Sequence, residues 1–120
     1  MNWLYAASAL SGITALIHIF GGGKSVAKPL LESSMNDEAK YTNYYCWHIV
    51  TIIIIAMAVG FFLAARNSDY RELGILCSAL SLAFALWSCL LIYIKKQKPF
   101  ELPQWVLFFP IAIVGAIGLF

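Results

Sequence analysis

The chain has 120 residues, 62% of them hydrophobic and 12% charged, with a formal net charge of +2 and a mean hydropathy of +0.80. A soluble domain carries roughly 45–50% apolar and about 25% charged residues, so this composition argues against a soluble globule and for a single membrane-embedded unit over residues 1–120. Nucleic-acid binding is excluded as well, because the lysines and arginines form no stripe with interleaved aromatics.

The first apolar segment covers residues 3–20 and has no basic residue before it; the first lysine, Lys24, comes after it. It therefore reads as a retained, reversed anchor and not as a cleaved signal peptide. Ser8, Ser11, Ala15 and His18 recur at steps of three and four, which places them on one helical face.

In the loop that follows, 21–43, Gly21, Gly22 and Gly23 are expected to end helix one, since glycine takes the left-handed conformation common at helix C-termini. Pro29 opens a short Pro-Leu-Leu stretch placed at the lipid headgroups. Ser34 followed by Asp37 resembles an N-cap with an acid in the first turn. Helix two is then expected to begin near Met35 and to enter the membrane around Tyr44.

The second and third apolar segments are 44–65 and 73–94, joined by a short turn. Runs such as 49–58 lack the alternation of barrel strands, and backbone in hydrocarbon must bond to itself, so these are helices. In the third segment Ser78, Ser81, Ala85 and Ser88 repeat the small-residue spacing of the first. Ser78-Ala79-Leu80-Ser81 also copies Ser8-Ala9-Leu10-Ser11, which suggests a tandem duplication of a helical hairpin. Small residues at this spacing let helices approach closely, the packing available where no hydrophobic effect acts between helices.

Pro99 and Pro103 delimit the turn into the fourth segment, 104–120, which Pro110 is expected to kink. Each segment approaches the roughly 17–25 residues a spanning helix needs. The fold class expected is thus all-α and integral to the membrane, a four-transmembrane-helix bundle running up-down-up-down. Loops 21–43 and 95–103 hold six basic residues, and the second loop holds only Arg66 and Arg71. The positive-inside rule then puts loops one and three in the cytoplasm, both termini on the other side, and the chain in a bacterial inner membrane.

Cys46, Cys77 and Cys89 are odd in number and form no Cys-x-x-Cys pair, so each is expected to be a buried, inert hydrophobe. His18 and His48 are the only ionisable groups within the spans, each about one turn from the cytoplasmic face. An ionisable group at such depth is a candidate functional residue, and each imidazole is the other's expected partner. His48 follows Tyr41 and Tyr45 at helical steps, a face assigned to the bundle interior. Glu101 and Cys89 belong to the same layer by depth.

Two neutral imidazoles on facing helices suit a bis-histidine haem b. His18, His48, Glu101 and Cys89 together offer ligands for a transition metal. The leading expectation is nonetheless a non-enzymatic membrane module, either an accessory subunit of a membrane complex or a self-associating homo-oligomer. Its remaining partner is the lipid bilayer. A small-molecule transporter ranks last, because helix one carries no acidic residue.

Overall fold

The computed structural model describes residues 3–120; Met1 and Asn2, which begin the tail assigned to the non-cytoplasmic side, lie outside the described residues. Helix α1 (Trp3–Leu16) runs without a break into a π-helical segment, Ile17–Ala27, and then into α2 (Lys28–Glu32). Helix α3 (Asp37–Arg66) follows, then a 3₁₀ turn (Ser68–Tyr70), α4 (Arg71–Lys95) and α5 (Gln104–Leu119). The described chain is all-helical. Three of its helical runs, Trp3–Glu32, Asp37–Arg66 and Ser68–Lys95, are long and apolar enough to cross a membrane. The 16 residues of α5 are apolar but fewer.

The helices close into a ring. The tightest pairings are α4 on α5 and α1 on α3, with α1/α5 and α3/α4 completing the circuit. Neighbours run antiparallel, as their contacts show. Leu4 of α1 lies against Gly118 of α5, and Ser8 Oγ donates to the Ala58 carbonyl of α3 at 2.7 Å. At the same end Arg71 donates to the Leu119 carbonyl at 3.0 Å. That places a cation on the C-terminus of α5, where the helix dipole favours one.

The bundle is built small side in, large side out. The buried residues of α1 are Leu4, Ala7, Ser11, Thr14 and Ala15, and those of α4 are Gly74, Cys77, Ser81, Ala85 and Ser88. The small faces expected of helices one and three are thus the ones used in packing. Ile13, Leu16, Ile52, Ile55, Leu82, Leu86, Ile113 and Ile117 all point outward. Larger side chains fill the centre mainly from α3 and α5, through Ile54, Met57, Phe61, Phe108 and Ile111. Glycine is required where α1 meets α5: a Cβ on Gly118 would stand 2.9 Å from the backbone nitrogen of Leu4, and backbone cannot move aside as a side chain can.

Positions seventy apart in α1 and α4 share their environment. Ala7 and Cys77, Ser11 and Ser81, and Ala15 and Ala85 are buried in pairs. Ser11 and Ser81 donate to Ala7 and Cys77, one turn back, each at 2.9 Å. His18 bonds to the Trp47 carbonyl of α3 at 3.2 Å, and Ser88 to the Leu102 carbonyl in the turn before α5 at 3.1 Å.

The N-terminal third departs from the sequence expectations in two places. Gly21, Gly22 and Gly23 do not end helix one, because no glycine has a positive φ. They stay right-handed within the wide π turns, and the helix continues to Glu32. The cap of α3 is also not Ser34. Asn36 Oδ1 accepts from Ala39 N at 2.9 Å, so α3 starts at Asp37 with two acids in its first turn. Helix α5 runs through Pro110, whose ring faces outward.

Candidate functional site

The rotational setting of α3 decides what its polar end presents to the bundle. Ile54, Met57, Phe61 and Ala64 are buried at steps of three and four. Carried back toward the N-terminus, the same stripe runs through Val50 and Trp47. The stripe of Tyr41, Tyr45 and His48 continues instead through Ile52, Ile55, Val59 and Phe62, and all of these are exposed. The face is continuous, as the spacing predicts, but it is the outer one.

His18 is half-buried and stacks on the Trp47 indole, with ring centroids 4.4 Å apart and planes 21° from parallel. Its Nε2 lies 3.2 Å from the Trp47 carbonyl oxygen. A carbonyl only accepts, so in the neutral ring Nε2 carries the proton and Nδ1 is a bare acceptor. The same carbonyl accepts from Thr51 Oγ1 at 3.2 Å. His48 packs edge-on to Tyr44 at 4.5 Å and to Trp47 at 5.1 Å. Both histidines therefore contact one indole, and His18 bonds to a backbone carbonyl instead of to His48.

Beside this cluster the bundle is open. A cavity of about 740 Å³ lies between the π-helical segment, α3 and the turn into α5. Apolar groups such as Ile17, Val50, Ile54 and Leu107 line its walls, with His18, Ser25, Glu101 and Gln104 among them. Gly21 and Gly22 add wall without side chains. A second cavity of about 260 Å³ next to Ser88 shares Val50, Leu102, Gln104 and Phe108 with the first. The turn that forms the far wall is held by Trp105 Nε1 donating to the Pro99 carbonyl at 2.9 Å and by a Lys98–Glu101 pair at 3.5 Å. It leaves α4 through Lys96, the one non-glycine residue with positive φ among those described.

Of the expected site residues, the structure brings His18 and Glu101 to one cavity and leaves His48 and Cys89 off its wall. A haem held by both imidazoles needs both rings aimed into one volume, and only His18 lines this one. Among the described residues, no three of the His, Cys, Asp and Glu side chains come together as a metal-binding group. Of the cysteines, Cys77 is buried, as expected, Cys89 is half-buried and Cys46 is exposed. The stretch around Trp47, Ser25 and Gln104 is absent from the residues singled out by sequence. The 3-4-3-4-3 stripe from Trp47 to Ala64 marks Trp47 alone of these three.

No protein-family model matches the chain, and neither a curated protein nor a solved structure matches it.

Proposed function

We propose that this chain is an integral membrane module that spans the bilayer four times and acts by binding and association, not by catalysis. The observation that carries the membrane reading is the inverted distribution of size. Serine, alanine and glycine fill the α1 and α4 contacts, while isoleucine, leucine and phenylalanine cover the outside. Water penalises such an exterior and hydrocarbon does not, and close approach through small residues is how helices associate in lipid. At 16 residues α5 is about 24 Å long at 1.5 Å per residue. The Pro103 and Phe120 flanks bring it near the hydrocarbon thickness of about 30 Å.

The lysines of loops 21–43 and 95–103 orient the module with these loops in the cytoplasm of a bacterial inner membrane and its termini outside. The shared burial and hydrogen bonding of α1 and α4 support its origin as a duplicated hairpin. An accessory partner or a second copy would meet it on the outer faces, where the large side chains are. Alkaline carbonate washing of membranes from expressing cells is the test. The protein is expected to stay in the pellet; release into the supernatant overturns the proposal.

A further inference from the structure

We propose that the cavity beside His18 binds one neutral membrane amphiphile whose head carries a hydroxyl group. The inference rests on the membrane reading above, because the ligand is drawn from the surrounding lipid.

Its volume of about 740 Å³ lies inside the range of about 300–1,000 Å³ in which small molecules are bound. The wall is graded. Ile54, Leu107 and Phe108 line it toward the middle of the bundle, with Thr14 the one polar side chain at that depth, and His18, Ser25, Glu101 and Gln104 line it toward the loops beside Val26 and Phe100. An amphiphile matches that gradient with its tail inward and its head at the loop end.

The polar groups specify the head. His18 Nε2 is occupied by the Trp47 carbonyl, which leaves Nδ1 as an acceptor. Ser25 spends its proton on the Gly21 carbonyl at 2.9 Å, so its oxygen also presents lone pairs. Glu101 adds a carboxylate, balanced by Lys98 at 3.5 Å. Gln104 adds an amide that donates as well as accepts, so acceptors predominate on this wall and a hydroxyl, which does both, matches it. An anionic head would meet the Glu101 carboxylate, and Lys98 at 3.5 Å already balances that charge, so the set matches a neutral head.

The cavity also coincides with the one π-helical segment among the described residues, which supplies His18, Gly21, Gly22 and Ser25 to its wall. π turns inside α-helices occur mostly at functional sites. Here the wide turns and missing side chains leave space that a regular helix with larger residues would fill.

The test uses the full chain in phosphatidylcholine nanodiscs, with three radiolabelled probes counted against empty nanodiscs. These are a decyl-substituted hydroquinone, its dimethyl ether and dioctanoylglycerol. Saturable binding of one molecule per chain is expected for a hydroxyl-bearing probe, and the dimethyl ether should bind about ten-fold more weakly for want of a donor. The tighter of the hydroquinone and the glycerolipid names the source of the hydroxyl. H18F keeps a ring on Trp47 but removes Nδ1 and should weaken binding about ten-fold, whereas V59F, on the outer face of α3, should not. The probe comparison uses the unaltered chain, so it decides even where H18F does not fold. No saturable binding of either hydroxyl probe, or equal binding of the ether, overturns the proposal. Retention in carbonate-washed membranes is measured separately, so a failed membrane reading and a failed ligand reading are distinguishable.

Discussion

Ser81→Leu is expected to destabilise the bundle far more than Val59→Leu, although both leave a leucine in a long apolar helix. Ser81 is 0% exposed, as is Ser11, while Val59 is 52% exposed. A leucine at Ser81 must find space between α4 and its neighbours in a core already lined by Cys77, Ala85 and Phe61. Over-packing of this kind costs typically about 1–3 kcal/mol. The lost hydroxyl contributes little, because its bond is to Cys77 in its own helix and that carbonyl keeps its helical partner. Ser81→Ala should accordingly be close to neutral, which separates size from hydrogen bonding. Val59→Leu, on the outer face, should fall within about 0.5 kcal/mol of the parent. Reversible unfolding of the purified variants in bicelles by added SDS measures all of these, with Ser11→Leu as an independent repeat of the effect. Equal tolerance of leucine at positions 11, 59 and 81 would refute the packing account.

Gly118→Ala puts a methyl 2.9 Å from the Leu4 backbone nitrogen and should cost about 1–3 kcal/mol in the same assay. Asn36→Ala removes the cap of α3 and should cost about 0.5–2 kcal/mol. Faster amide exchange, confined to the first turn after Asp37, would locate that effect. His18→Ala should lower stability measurably by losing the stack on Trp47 and the bond to its carbonyl, whereas exposed His48→Ala should stay within about 0.5 kcal/mol. A larger loss at His48 than at His18 would mean that the setting of α3 is wrong.

The helical segments and the buried small faces were legible because hydropathy over twenty residues and the 3-4-3 spacing of Ser and Ala are strong, local signals. The setting of α3 was not. Tyr41, Tyr45 and His48 make a polar face near the end of an apolar helix, and such a face can look inward to a site or outward from the bundle. The decision is made two to four turns away, by the stripe of Ile54, Met57, Phe61 and Ala64. The triple glycine misled for a different reason. Glycine permits a left-handed cap without demanding one, and here Gly22 and Gly23 stay helical against the Trp47 ring. Of the site, His18 and Glu101 were within reach by depth alone. Ser25 and Gln104 were not, since their place on the cavity wall depends on the π turns and on the path of the turn into α5.

Cysteine accessibility in intact cells tests the central claim most directly. In a background lacking Cys46, Cys77 and Cys89, single cysteines are placed at the exposed positions Ser68 and Lys98, which lie in the second and third loops. A membrane-impermeant maleimide is expected to label Ser68→Cys in intact spheroplasts, and Lys98→Cys only after the membrane is permeabilised. Labelling of both sites without permeabilisation, or of Lys98→Cys alone, would contradict a four-span module with its lysine-rich loops in the cytoplasm.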